Sequence, residues 1–221
     1  MEYRKDLPEL PARMARLPLD ARGFPVPWFV HWQDGVPDFR IVRENGIGLA
    51  HKHKTCWLCG EPLGRYGAFV IGPMCGINRT ISEPPSHRDC ALYAAMACPF
   101  LTRPAMKRNE RGIADMLKAE MVKDSAGHGL KRNPGCCSVW VTREWRPFKA
   151  QGGYLFTFGD PTEVTHWCQG RTATRAEVLH SIETGLPALQ ELAEAEGPKA
   201  VAALARMRRE FEVYLPVEEA A

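Results

Sequence analysis

Two short motifs place four metal-binding side chains at spacings that suit a single ion. Cys56 and Cys59 are separated by two residues and followed by Gly60, and a tight turn of this kind aims both sulfur atoms at one point. His87 and Cys90 are three positions apart, so the first turn of a helix carries both on one face. Four protein ligands in a tetrahedron leave no position for a reactive water. The motifs therefore predict a structural Zn²⁺ ion.

The spacing does not decide which residue is the fourth ligand. Cys75 lies between the two motifs and is an alternative fourth ligand in place of His87. A cysteine cluster that binds no metal is the competing interpretation. The first twenty residues carry charges throughout and no apolar signal segment, which predicts a cytoplasmic protein. In that reducing compartment, clustered thiols bind metal more often than they form disulfides.

The other cysteines have no predicted site. Cys98 lies eight residues beyond Cys90, which is about 12 Å along a continuous helix and too far to share the ion. We interpret Cys98 as a small buried hydrophobic residue. Cys136 and Cys137 are adjacent, so their side chains diverge on a strand and belong in a core. Cys168 has no assigned role.

Several catalytic motifs are absent from the sequence. A zinc deaminase has His-x-Glu before Pro-Cys-x-x-Cys, whereas Cys-x-x-Cys comes first here. The protease motif His-Glu-x-x-His and the phosphate-binding motif Gly-x-x-x-x-Gly-Lys do not occur. A thioredoxin-like pair requires a surrounding βαβ pattern, which is missing. The zinc ion is therefore expected to be structural.

The segment between the two motifs resembles a known zinc-binding architecture. Residues 66–71 are apolar and lie between turn-forming glycines, which predicts a β-hairpin, and we expect Ser86 to cap the following helix. A knuckle, a hairpin and a helix with the second ligand pair resemble the treble-clef zinc fingers, over residues 54–98. An HNH nuclease shares that scaffold, but no histidine occurs between Cys59 and His87 to serve as its catalytic residue.

A longer series of motifs resembles a family of uncharacterised bacterial and phage proteins. The resemblance covers about residues 20–110 and includes RGFPVPWFV from position 22, PDFR from 37, CWLCG from 56, FVIGPMC from 69, EPPSH from 83, CA from 90 and CPFL from 98. It implies a shared fold and a shared site, but no particular reaction.

Aromatic and polar residues in these motifs are candidates for a ligand pocket. They come from the aromatic N-terminal segment and the 72–87 loop, and comprise Trp28, His31, Trp32, Asn78, Arg79 and Glu83. The competing interpretation is that the aromatic rings supply the core of a small zinc module. An enzyme of unknown reaction, with a structural zinc ion and a pocket formed by these residues, is the alternative function.

Residue patterns predict an α+β protein with three parts. Residues 1–20 are expected to form a poorly ordered lead-in. Residues 21–170 are expected to form a small mixed β core that contains the zinc module at about 54–101. Thr174 and Glu177 fit a capping box, and Gly197-Pro198 separates two helices, so residues 171–217 are expected to form a C-terminal helical hairpin.

Strand signals are short and separated by turns. An aromatic segment at 22–32 and the Asp34-Gly35 turn predict a hairpin with the strand that follows. His51 and His53 alternate, and we interpret them as a polar strand edge. Strand patterns occur at residues 39–42, 139–145, 154–158 and 164–167.

Composition excludes disordered and membrane-spanning classes. The 221 residues are 45% hydrophobic and 25% charged, which is typical of a protein that buries an ordinary core. No apolar run approaches the ~20 residues of a membrane helix, so no membrane partner is expected. The net charge of +3 is too small to identify a partner.

Positive charge is concentrated in one segment. Residues 100–135 contain eight Lys/Arg and four acidic residues, and a helix is predicted over 109–124. Lys107, Arg108 and Arg111 are candidate phosphate contacts, although the solvated face of a helix has the same pattern. A zinc-stabilised binding protein for nucleic acid or a protein partner is therefore the first functional hypothesis. The sequence predicts no oligomeric state.

Overall fold

The structure combines helices with antiparallel sheets, which confirms the α+β class. The computed structural model describes residues 2–107, 109–113, 133–150 and 152–218. The helices are α1 (Gly46–His53), α2 (Pro73–Asn78), α3 (Arg88–Ala97), α4 (Pro99–Thr102), α5 (Arg175–Glu196) and α6 (Pro198–Glu210). The strands are β1 (Val30–Gln33), β2 (Val36–Val42), β3 (Gly67–Ile71), β4 (Thr80–Ile81), β5 (Cys136–Thr142), β6 (Trp145–Ala150), β7 (Gly153–Phe158), β8 (Pro161–Cys168) and β9 (Arg171–Thr172).

A four-stranded sheet in the order β3-β5-β8-β9 forms the centre of the fold. Every residue of β5 is buried, because this strand has a neighbour on each side and a packed layer on each face. Alternate side chains of β5 point to opposite faces. Trp140 faces the main core with α2, α5 and α6, whereas Val139 and Val141 face a smaller cluster with α3.

The apolar segment between the two ligand motifs does not form the predicted hairpin. Its strand, β3, pairs instead with β5, so that Phe69 lies opposite Trp140. The segment is nearly continuously apolar and buried, as is typical of a strand inside a larger sheet. The metal-binding motifs are therefore attached directly to the main sheet.

A second sheet, in the order β4-β7-β6, lies beside the first. The strand predicted over 139–145 is divided between β5 and β6. The division occurs where the Glu144 N–H donates to the Thr142 hydroxyl at 3.1 Å and the Gly159 N–H donates to the Glu144 carbonyl at 2.8 Å. These bonds turn the chain, and β6 then pairs with β7 as a hairpin.

The N-terminal hairpin is confirmed, whereas the strand at the two histidines is wrong. Strands β1 and β2 pair around the Asp34-Gly35 turn, where both residues have positive φ. His51 and His53 lie at the end of α1, whose residues are exposed at this end. Alternation over only three residues does not distinguish a strand from the polar end of a short helix.

The C-terminal helical hairpin is confirmed. Thr174 accepts from the Glu177 N–H at 3.2 Å while the Glu177 carboxylate accepts from the Thr174 N–H at 2.8 Å, which completes the capping box of α5. Gly197, at a φ of +107°, joins α5 to α6. Within the part of the chain that the structure describes, no helix is long and apolar enough to cross a bilayer.

Candidate metal centre

The Cys-x-x-Cys segment folds into a tight turn that presents the first two ligands. Thr55 and Pro62 form an antiparallel bridge at its base. The Gly60 N–H donates to the Cys56 carbonyl at 3.0 Å, with Gly60 at a φ of +78°. This left-handed conformation favours glycine. The turn directs Cys56 and Cys59 inward, where they are 0% and 2% exposed.

The other two ligands lie at the start of α3. His87 is the N-cap residue and Cys90 lies in the first turn, which places both side chains on one side of the helix end. The prediction that Ser86 caps the helix is wrong. Ser86 exchanges two backbone hydrogen bonds of 2.8 Å with Ala68 of β3, so the helix begins one residue later.

All four predicted ligands converge on one point. The ligand atoms of Cys56, Cys59, His87 and Cys90 lie within 4.8 Å of one another, a grouping that can hold a metal ion. The three sulfur atoms are buried, and His87 is half-buried. His87 therefore completes the cluster, and the alternative residue, Cys75, is not part of it.

Hydrogen bonds orient the imidazole and the sulfur atoms. His87 Nε2 lies 3.1 Å from the Pro62 carbonyl oxygen, and because a carbonyl only accepts, Nε2 carries the hydrogen. Nδ1 is then left with a free lone pair, 3.3 Å from the sulfur of Cys59. Backbone N–H groups of His87 and Cys59 donate to the sulfur of Cys56 at 3.3 and 3.4 Å. Outer hydrogen bonds of this kind fix metal ligands in place.

The three thiols influence each other's ionisation strongly. The pKa of Cys56 is lowered because the Cys59 and Cys90 thiols and two backbone N–H groups donate to its sulfur. The pKa of Cys59 is raised to about 11, mainly by its interaction with Cys56, and the pKa of Cys90 is raised for the same reason. All three sulfur atoms can therefore be ionised together only when a cation neutralises them.

The N-terminal lead-in, expected to be poorly ordered, packs around this centre. Met14 is 2% exposed and contacts the cluster that contains the three ligand cysteines and Tyr93. Arg13 forms ion pairs with Glu61 in the turn and Asp89 in α3, at 3.5 and 3.4 Å. The lead-in thus connects the two ligand-bearing segments from outside.

The remaining cysteines lie away from the quartet. Cys75 packs against the main core from α2, and Cys98 is a half-buried residue between α3 and α4. Cys136 and Cys137 are buried in β5 and belong to different clusters, as their adjacency predicts. Cys168 lies directly opposite Cys136 on β8.

The predicted pocket residues of the N-terminal segment have structural contacts. Trp28 packs edge-on against Trp57 at 6.3 Å, and the Arg43 guanidinium lies 4.7 Å from the Trp28 ring centre. His31 is half-buried on β1, and Trp32 is 42% exposed near the tip of the hairpin.

The predicted pocket residues of the 72–87 loop are also engaged locally. The Asn78 side-chain oxygen accepts from the Thr80 N–H at 3.0 Å. Arg79 stacks on Trp140 at 4.2 Å, and Glu83 is exposed. None of the six predicted pocket residues lines either of the two cavities described below.

The predicted phosphate-binding segment is only partly described. Lys107 and Arg111 are exposed, and Arg40 of β2 donates to the Arg111 carbonyl at 2.8 Å. Arg108 and most of the helix predicted over 109–124 lie outside the described residues.

One cavity lies between β8 and the C-terminal segment 213–217 and measures about 540 Å³. His166 borders it and connects its walls. The Ser138 hydroxyl and His166 Nδ1 are 2.8 Å apart, and His166 Nε2 donates to the Tyr214 carbonyl at 2.6 Å. Burial lowers the pKa of His166, so the neutral imidazole is favoured.

The other cavity, of about 290 Å³, lies beside the metal centre, and the sequence did not predict it. We call it the basic cleft. Its basic residues are His51, Lys54, Arg65 and Arg143, and its apolar residues include Pro84, Pro85, Trp145, Pro147 and Phe156. These residues come from four separate segments, so no local pattern in the sequence marks them as a group.

Comparison with known proteins does not identify a family. No family model, curated protein or solved structure matches this chain.

Proposed function

We propose that this chain is a nucleic-acid-binding protein built around a structural Zn²⁺ ion. The observation that carries the proposal is the convergence of Cys56, Cys59, His87 and Cys90 within 4.8 Å. Three thiolates and an imidazole form a ligand set of structural zinc sites. Their order along the chain, a turn followed by a helix, resembles the treble-clef fingers, with β5 pairing with the central strand.

Zinc fits these donors better than the other common ions. Calcium and magnesium require oxygen ligands, whereas sulfur and imidazole nitrogen suit zinc. The acidic residues nearest the ligands, Glu61 and Asp89, are already paired with Arg13. The Cys59–His87 separation of 3.3 Å is close to the ~3.5 Å edge of a tetrahedron with ordinary zinc bond lengths.

A structural role follows from the closure of the site. Four protein side chains complete a tetrahedron, and no position remains for a water that could react. Burial of the cysteines also keeps other molecules from the ion. Because the ligands come from a turn and a helix thirty residues apart, the ion's binding energy stabilises the fold. Reduced thiols are needed, so we propose a reducing, cytoplasmic location.

A group of Lys and Arg side chains without carboxylate partners favours nucleic acid over a protein as the binding partner. Arg88 and Arg171 form ion pairs of 2.6 Å with nearby carboxylates. Lys54, Arg65 and Arg143, beside the metal centre, form no ion pair with another described residue. Unpaired cations grouped on one surface are suited to phosphates.

Metal analysis of the intact chain tests the zinc site. Protein purified under reducing conditions should contain one zinc ion per chain by elemental analysis and native mass spectrometry. Cys56→Ser should lose the ion, and Cys75→Ser, the matched control outside the cluster, should keep it. Wild-type protein without bound zinc, or equal loss in both variants, would refute the site.

Nucleic-acid binding is tested separately on the zinc-loaded protein. Fluorescence anisotropy with labelled oligonucleotides should show an affinity whose logarithm falls linearly with the logarithm of salt concentration. Failure of every DNA and RNA probe to bind at low salt would refute this part of the proposal.

A further inference from the structure

We propose that the basic cleft binds a single strand of nucleic acid, with phosphates on its basic side chains and bases against the exposed aromatic side chains beside it. This inference rests on the proposed function, which gives nucleic acid as the partner but does not locate the binding site. Three observations support it: the charge of the cleft, the exposed aromatic rings of Tyr66 and Tyr154 beside it, and the connection of the cleft to the metal centre.

The cleft has cations and no acidic residue among its lining. His51, Lys54, Arg65 and Arg143 border it, and all four are exposed. The lysine and both arginines have no ion-pair partner among the described residues. These side chains lie on one concave surface, where their fields add and attract a polyanion.

The acidic residues that are nearest in sequence do not neutralise this positive charge. Glu83 and Glu144 are adjacent to cleft residues, but neither lines the cavity. Some arginines elsewhere are neutralised, as with Arg13 at Glu61 and Arg88 at Glu163. The cleft therefore brings unpaired basic side chains together on one concave surface.

The apolar side of the cleft continues along the β6–β7 hairpin. Pro147 and Phe156 lie opposite each other and line the cleft, but the Phe156 ring is 1% exposed and belongs to the main core. The next pair on the same face is Lys149 opposite Tyr154, whose side chain is 40% exposed. From Trp145 to Lys149 the strand rises about 13 Å, which is longer than a single phosphate requires. The surface therefore suits a chain of nucleotides.

Arg143 and Tyr66 form a second aromatic and cationic pair at the rim. The Arg143 guanidinium lies 5.0 Å from the Tyr66 ring centre and donates to the Tyr66 hydroxyl at 2.5 Å. The hydroxyl bond holds the cation beside the cleft, while the Tyr66 ring stays 39% exposed. Exposed aromatic faces beside cations are the elements with which proteins bind unpaired bases.

The aromatic residues favour a single strand over a duplex. Bases in a duplex are stacked on each other, and only unpaired bases can lie against a side-chain ring. A cavity of about 290 Å³ is also too small for a double helix, whereas a splayed base fits.

The metal centre holds two walls of the cleft. Lys54 precedes the ligand Cys56 by two residues, and its carbonyl accepts from the Leu63 N–H at 2.6 Å. Pro85 precedes the ligand His87 by two residues, and its carbonyl accepts from the Trp57 N–H at 3.1 Å. The ion thus holds these two walls of the cleft in place without contacting the nucleic acid.

A charge-matched pair of double variants tests the site. Arg65→Ala/Arg143→Ala removes two cleft cations, and Lys199→Ala/Arg209→Ala removes two exposed, unpaired cations of α6. The probes are labelled oligothymidylate and oligouridylate of about 20 nucleotides, longer than typical single-strand sites, and a duplex of equal length. Thermal unfolding and zinc content confirm that each variant is folded.

We expect the cleft variant to bind the single strands about tenfold or more weakly and to lower the salt slope by about 1.4, while the control changes affinity by less than about twofold. Equal weakening in both variants would overturn the site but leave the proposed function standing. Duplex affinity equal to that of the single strands would overturn the single-strand assignment. Binding of ATP or inorganic phosphate without binding of any oligonucleotide would overturn both proposals.

Discussion

Gly60 is the residue on which the metal-binding turn depends most closely. Its φ of +78° is unfavourable for any residue with a Cβ atom. A Cβ placed there would lie 2.5 Å from Cδ1 of Trp28, well inside van der Waals contact. Trp28 in turn packs against Trp57 inside the turn, so the ring has little freedom to move away.

Gly60→Ala should therefore lower the free energy of unfolding by about 2 kcal/mol, because backbone strain and the clash act together. Urea denaturation of the zinc-loaded protein measures the change. Gly64→Ala is the matched control, since no atom lies within 4 Å of its Cβ position. If Gly60→Ala lowers the free energy of unfolding no more than Gly64→Ala does, the turn does not require glycine at position 60.

His166 connects β5, β8 and the C-terminal segment through one buried ring. It bonds with Ser138 at Nδ1 and with the Tyr214 carbonyl at Nε2, and the Phe211 ring packs against it. Burial lowers its pKa below the ordinary value. The unfolded chain therefore binds a proton more readily than the folded chain.

The contribution of neutral His166 to the free energy of unfolding should be fully present above about pH 6.5. It should be lost progressively as the pH falls below that value. His166→Gln cannot titrate, so the free energy of unfolding should depend less steeply on pH in this range than in wild type. Urea denaturation over a pH series, with zinc content checked at each pH, gives the difference. Parallel curves for the two proteins would contradict a buried neutral histidine.

At the residue scale, the ligand set was predictable and the cleft was not. Cys56, Cys59, His87 and Cys90 form two local motifs whose spacing limits where the side chains can point. Cys75 stayed an alternative because only the packing of α2 against the main core separates it from the cluster. The cleft cations come from segments that meet only through long-range pairing.

Among the elements, β3 illustrates what a local pattern cannot specify. Its apolar residues predicted a strand correctly, but the predicted partner was a neighbouring segment. The true partner, β5, begins after a gap of more than sixty residues. Register over such a distance depends on the complementary faces of both strands and on the layers that cover them.

Elements defined by local chemistry were predictable. The β1–β2 hairpin follows from its Asp-Gly turn, and the start of α5 follows from the hydrogen-bonding residues Thr174 and Glu177. Each depends on contacts between residues that are close in sequence. The helix at His51 and His53 was missed because three residues are too few to show a period.

The capping box of α5 gives a prediction at this scale. Thr174→Ala removes the oxygen that accepts from the Glu177 N–H, and the free energy of unfolding should fall by about 1 kcal/mol. Thr184→Ala is the control, because its hydroxyl donates to the His180 carbonyl inside the same helix and caps nothing. Urea denaturation compares the two, and an equal or larger loss for Thr184→Ala would contradict the assigned cap.

On the scale of the whole molecule, the metal centre lies where several parts of the chain meet. The lead-in packs on it through Met14, α3 extends from it across the central sheet, and the cleft walls adjoin its ligands. A metal ion at this junction would hold together segments that are far apart in the sequence. Its effect on function is then expected to exceed its local contribution to stability.

The resemblance to a bacterial and phage family over about residues 20–110 stays a prediction at this scale. Those residues include the metal centre and three of the four basic residues of the cleft, but not Arg143. A related protein with the motifs but without the β5–β6 segment would therefore retain the metal site and lack a complete cleft.

We propose that zinc positions a nucleic-acid-binding surface without touching the nucleic acid. The most direct test is single-strand affinity measured on one preparation when zinc-loaded, after chelation under reducing conditions, and after zinc is restored. We predict a loss of about tenfold or more on chelation, comparable to that of Arg65→Ala/Arg143→Ala, and recovery when zinc is added back. Undiminished binding by the metal-free protein would contradict the account.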